Sequence, residues 1–169
     1  MKKIIPLVFV LLLTSCVTSN IRSNKSPDFN EKITKLFVIG KVADNSKFFY
    51  GSLATNFVAS LKDRGVEVRT YYIDPLSLEP EEDITKRIKL YNPNLIMMIS
   101  QTESRVQSDG FGFVGVASGG TFDVKIFKPN SKNPSWRANL KIDTAANLEN
   151  AAKKANQTLV EKLIEDGLL

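Results

Sequence analysis

The chain has 169 residues, 43% of them hydrophobic, with 23 Lys and Arg against 18 Asp and Glu, no His and one Cys, and a formal net charge of +5. That length supports one core burying about two thirds of the unfolded surface, while the modest, interleaved charge lacks the basic stripe of a nucleic-acid binder. A lone Cys forms no intramolecular disulfide, and the absence of His removes the usual base of a hydrolase triad and the commonest zinc ligand.

The first sixteen residues, MKKIIPLVFVLLLTSC, join two Lys to an apolar run and then to small residues before Cys16, the three parts of an export signal. The run Ile4 to Leu13 is half the roughly twenty residues that cross a bilayer, so residues 1–15 read as a removed signal peptide. Leu13-Thr14-Ser15-Cys16 resembles the bacterial lipobox, in which Cys carries diacylglycerol and becomes the first residue of the mature chain. Ordinary signal cleavage beside an incidental Cys is the alternative, but the junction lacks the A-x-A pattern. Val17 stands where an enterobacterial inner-membrane retention signal has Asp, so the resemblance implies the outer membrane, facing the periplasm. Losing the two Lys of the signal lowers the charge to +3.

Residues 16–30 are rich in Ser and Asn without an apolar period, and read as a flexible tether of roughly 20 Å. A single domain is expected over 31–169. It opens with KLFVIGKV, a strand covered on both faces. A helix follows, with Phe49, Leu53, Phe57 and Leu61 at four-residue spacing, Ser46 placed to cap it and Gly65 to end it. VEVRTYYID alternates as an edge strand. A second helix starts near Pro80, with Glu81 to Asp83 in its first turn, and stops at Asn92-Pro93. NLIMMIS is a central strand, and TFDVKIF and SWRANLKID form an antiparallel hairpin. The closing helix is expected from about Ala145 to Asp166, with an apolar stripe through Leu148, Ala152, Ala155, Leu159 and Leu163.

The order β-α-β-α-β-β-β-α predicts an α/β fold bordering on α+β: a five-stranded mixed sheet of order 2-1-3-4-5. Right-handed crossovers put the first and last helices on one face, where Val124, Trp136 and Leu140 point, and the second helix on the other.

DGFGFVG contains Gly110, Gly112 and Gly115 in the G-x-G-x-x-G spacing of a dinucleotide turn. A strand pattern follows it, so no helix amino terminus is predicted to receive a pyrophosphate, and the glycines read as a bending connection. No S-x-x-K pair occurs. Glu103 and Asp109 are paired carboxylates only if they leave the solvated surface. No catalytic residue, cofactor or metal ligand is predicted, and an enzyme is not expected.

The aromatics Phe48, Phe49, Tyr50, Tyr71 and Tyr72 fit either core packing or a platform. Phe111 and Phe113 share one side of an extended strand, where they are either covered by the second helix or exposed as a partner-docking patch. Asp44, Asn45 and Ser46 face the crevice at the strand-order switch, the place for a small-molecule ligand.

Lipobox, tether, element order, the Trp-bearing SWRANLKID and the closing EKLIEDG together resemble small envelope lipoproteins related to the TolB amino-terminal domain and to CsgG-like and LpoB-like accessory proteins. The resemblance implies a non-enzymatic, lipid-anchored adaptor that binds an envelope protein. A small-ligand-binding lipoprotein is the other expectation. The long added segments of a CsgG-like secretion pore are absent from this sequence.

Changing Cys16→Ala should leave an unlipidated, uncleaved precursor. Metabolic lipid labelling checks this, and normally matured, labelled protein from that variant would refute it.

Overall fold

A computed structural model of the protein describes residues 17–107, 116–143 and 147–169. The elements are β1 (Thr18–Lys25), β2 (Lys35–Lys41), α1 (Lys47–Lys62), β3 (Glu67–Tyr72), α2 (Glu81–Tyr91), β4 (Leu95–Gln107), β5 (Val116–Phe127), β6 (Trp136–Asp143) and α3 (Leu148–Glu165). They build one mixed sheet of six strands in the order β1-β6-β5-β4-β2-β3. The fold is α/β, but the expected five strands become six. The order therefore departs from the expectation by the added β1.

β1 corrects the flexible tether. Thr18 to Lys25 pairs antiparallel with β6, from Thr18 opposite Asp143 to Lys25 opposite Trp136. Its inward side is mostly short and polar, with Val17 and Ile21 supplying the apolar contact to the core. Such a strand carries no apolar alternation to read. Its order comes from the backbone ladder on β6 and from side chains that reach α3. The Ser23 hydroxyl donates to Asp166 Oδ2 at 2.6 Å, and the Lys25 ammonium donates to the Asp166 carbonyl at 2.8 Å.

β2 is parallel to both β3 and β4. Its residues Leu36 to Gly40 are buried, as a strand with helices on both faces requires. Leu36 and Val38 join the main core with Leu53, Phe57 and Leu61 of α1 and Ala155, Leu159 and Leu163 of α3. On the opposite face Phe37 meets Tyr91 of α2, with ring centroids 5.8 Å apart. α1 and α3 thus pack together on the face that receives Val124, Trp136 and Leu140, and α2 lies across the other.

The helix ends follow local chemistry. The Ser46 side chain makes no capping bond to α1, contrary to its expected role; Gln101 has engaged it instead. Gly65, at φ 76°, turns the chain after the helix, as only glycine does cheaply. Asn92 takes the left-handed region at φ 51° to end α2. Asn147 caps α3 by accepting from the amides of Glu149 and Asn150 at 2.9 and 3.1 Å. The expected start at Ala145 lies outside the described residues.

β4 and β5 run well past their predicted limits at Ser100 and Thr121, with register shifts between Gln101 and Glu103 and between Arg105 and Val106. Bulges of this kind absorb an extra residue and hide the period-2 pattern that marks a strand. The strand β5 follows Gly115 directly, so no helix stands where the dinucleotide motif needs one.

Asp166 sits at the carboxyl end of α3, where a negative charge opposes the helix dipole. Burial pushes its carboxyl upward. The bonds from Ser23, from Trp136 Nε1 at 2.7 Å and from Lys162 at 3.2 Å outweigh that and hold it below the usual carboxylate range. A depressed folded-state value gives stability that is present above the unfolded value of about 4 and lost as the pH falls through the folded one. Acid titration of the unfolding midpoint should therefore show a loss below about pH 4 that Asp166→Asn makes shallower. At neutral pH Asp166→Asn should cost about 2 kcal/mol, the scale of hydrogen bonds to a charged group.

Candidate functional site

The carboxyl ends of β2, β3 and β4 meet the start of α1 at one end of the sheet, where a 3-10 turn, Asp44–Ser46, carries the residues expected to face a crevice. The described residues fill that crevice with protein. Gln101 spans it: its Oε1 accepts from the Ala43 amide at 3.1 Å, and its Nε2 donates to the buried Ser46 hydroxyl at 2.8 Å. Asn45 Nδ2 reaches the Ser104 hydroxyl at 3.3 Å, and Asp44 stays in solvent. The cavity beside Ser46, lined by Phe49, Gly119, Phe122 and Ile142, measures about 10 Å³, the room of one water. Gln101 gave no sequence signal, because a single amide in a polar run is indistinguishable from surface.

Glu103 accepts from the Thr121 hydroxyl at 3.0 Å across β4 and β5. Asp109, its expected companion, lies outside the described residues, as do Phe111, Phe113 and Cys16. Among the described residues no group of three or more metal-ligating side chains gathers around a common point.

A wider opening lies between α1 and the outer edge of β3. This open groove of about 520 Å³ is walled by Lys47, Tyr50, Val58, Thr70, Tyr71 and Tyr72. The aromatic pairs divide here by helix and strand parity. Phe49 and Tyr50 face the core from α1 while Phe48 points to solvent. Tyr72 donates to the Val42 carbonyl at 3.4 Å, and the Lys47 ammonium lies 5.2 Å from its ring centroid. Tyr71 on the other face donates to Glu79, which Arg87 Nη2 also holds at 2.9 Å. The Tyr71 bond together with Arg87 keeps the Glu79 carboxyl below the usual range.

Tyr50 forms the floor of the groove. Its ring lies against the backbone of Gly40, where an added Cβ would come within 2.0 Å of it, so the close approach of helix to strand needs glycine there. Its hydroxyl is buried without a hydrogen-bond partner among the described residues, and burial pushes it far above the usual phenol range. An unpaired buried hydroxyl costs about 1 to 3 kcal/mol. Tyr50→Phe should therefore leave stability unchanged or raise it by about 1 kcal/mol in denaturant titration. A clear loss would show that the hydroxyl is satisfied in solution.

No family model matches the sequence, and no curated protein is significantly similar to it. Among solved structures, the chain is similar to the PelC dodecamer from Paraburkholderia phytofirmans, with 13% identity and a TM-score of 0.56 over 84% of this chain and 95% of that one. A single-substitution form of the same PelC dodecamer gives 14% identity and a TM-score of 0.57 over 84% and 96% of the two chains. A Xanthomonas campestris protein described by the family model DUF330 aligns at 9% identity and a TM-score of 0.43 over 86% and 90%. At these identities the PelC likeness establishes a shared fold across most of both chains.

Proposed function

We propose that the chain is a lipid-anchored, non-enzymatic lipoprotein of the bacterial envelope, held at Cys16 in the outer membrane and facing the periplasm, which acts by docking to other protein surfaces. Its first partners in this reading are further copies of itself. The observation that carries the proposal is the lipobox at Cys16 set immediately before a strand of the folded domain, which makes the anchor part of the domain's own edge. The likeness to a PelC subunit described as a dodecamer supports self-association.

The ligand-binding alternative has less support at the carboxyl ends of the parallel strands, because Gln101 occupies the crevice beside Ser46 and leaves about 10 Å³. A thermal-shift screen separates the two readings, since a molecule that binds only the folded form must raise its stability.

Crosslinking in intact envelopes, followed by mass spectrometry, tests the proposal. Peptides joining two copies of this chain, or this chain to one envelope protein, are expected. A species that stays uncrosslinked and monomeric when extracted into mild detergent would overturn it.

A further inference from the structure

The outer edge of β3 is a row of backbone groups that nothing in the sheet uses. β3 ends the six-stranded order, with β2 on its other side. The Glu67 amide donates to the Thr34 carbonyl at 3.0 Å and the Ile73 amide to the Gly40 carbonyl at 2.9 Å, so the odd-numbered residues of β3 bond to β2. Residues between them in such a ladder turn their backbone groups the other way. The N–H and C=O groups of Val68, Thr70 and Tyr72 therefore face outward, and among the described residues no strand receives them. An open ladder of this kind matches the backbone of another extended chain.

The side chains of those outward residues lie on the α1 side of the sheet. Val68 and Tyr72 pack against the core, and Thr70 and Tyr72 line the groove of about 520 Å³. Its other wall is a flank of α1, where Gly51, Ala54, Thr55 and Val58 recur at the spacing of one helix face. These side chains are small, so the helix leaves room beside the strand instead of closing on it. Paired strands share their side-chain faces, and a chain laid along β3 would send every second side chain into that room. The walls are largely apolar, and Lys47 at the rim already stands 3.8 Å from Asp74. Short aliphatic side chains suit such a space.

The opposite face of β3 sets the charge. Glu67 is held by Lys35 at 3.1 Å, and Tyr71 donates to Glu79. Arg69, between them, is exposed, with its guanidinium over the Tyr91 ring and no carboxylate paired to it among the described residues. Opposite charges across a strand pair stabilise it, and like charges oppose it. The edge strand of a second copy, β1, carries Arg22 and no acid, so it is the wrong complement. We propose that the groove between α1 and β3 takes an extended segment of another envelope protein as an added strand on β3, with short aliphatic side chains in the groove and an acidic one against Arg69. The proposal rests on the docking reading above and names the surface and the kind of segment it takes. Backbone bonds to the outward groups hold the segment, and the groove and Arg69 select its sequence.

The test selects from a displayed library of random heptapeptides on the full chain in mild detergent. Enriched sequences should alternate aliphatic residues with positions that include Asp or Glu. A synthetic copy of the leading sequence should slow amide exchange severalfold at Val68, Thr70 and Tyr72, read residue by residue, and leave Arg69 and Tyr71, whose amides already face β2, unchanged. Thr70→Pro removes the central outward N–H without touching the β2 ladder, and should weaken that peptide about tenfold, the scale of one lost hydrogen bond. Thr55→Trp, which fills the groove from the exposed side of α1, should weaken it as much and serves where the proline variant fails to fold. In a fresh selection on Arg69→Glu, Lys or Arg should replace the acid. No enriched sequence, or a bound peptide that leaves the outward amides unprotected, would overturn the proposal. If copies of the chain still crosslink to one another in that event, the groove is lost and the docking reading stands; a chain that neither crosslinks nor selects a segment would remove both.

Discussion

The Asp166 carboxylate holds three elements that are far apart in sequence. It stands at the end of α3, takes the Trp136 indole N–H from β6 and the Ser23 hydroxyl from β1, and faces Lys162 one turn back on its own helix. A carboxylate in that position opposes the helix dipole and loses solvation as the chain closes over it. Only a full set of donors makes the arrangement favourable, so the charge acts as a selector for one geometry. The last helix must end where the first strand crosses the Trp-bearing strand. Gly167, at φ 74°, then turns the chain so that Leu168 is buried and its carbonyl accepts from the Ile33 amide at 2.8 Å. The carboxyl terminus and the entry to β2 are thereby tied into the same corner.

That corner explains why the amino-terminal segment is ordered at all. TSNIRSNK has almost no apolar surface to bury, and a polar stretch of this kind remains a coil unless something outside it supplies partners. Here β6 offers an unpaired backbone edge and Asp166 offers an acceptor, so the cost of ordering is met by interactions whose other halves lie more than 100 residues away. A single sequence does not display such partners. The apolar elements, by contrast, were legible because each carries its own pattern: the four-residue spacing from Phe49 to Leu61, the continuous run of β2, and the alternation of Trp136, Ala138, Leu140 and Ile142. The reach of β4 and β5 past the apolar residues was hidden by bulges that break the period.

The chemistry of the crevice was illegible for a different reason. Asp44, Asn45 and Ser46 are placed by topology where α/β proteins often bind ligands, and that placement was readable. Its occupancy by Gln101 was not, because a single amide in the polar run after Ser100 carries no pattern that separates it from surface. The Ser46 hydroxyl, available in principle to cap α1, is engaged by the amide instead. The Gln101 amide thus leaves the helix without its side-chain cap and spans the crevice between β4 and the turn before α1.

Both sheet edges carry charge of the kind that keeps strands from adding to one another. β1 presents Arg22 and ends in Lys25, while on β3 Glu67 pairs with Lys35 at 3.1 Å and the Arg69 guanidinium lies over Tyr91. Charged edge residues disfavour edge-to-edge continuation of a sheet. In the self-association proposed above, contact between copies would then use surfaces other than these edges. The helical flanks and the open face of β5 and β6 are the surfaces left for such contact. That open face is polar and patterned: Asp123, 6% exposed, is gripped by Arg137 Nε at 2.7 Å and Lys125 at 2.9 Å. The cluster satisfies the buried carboxylate, while the Arg137 side chain stays 62% exposed on that face and is the part of it a neighbouring surface would meet first.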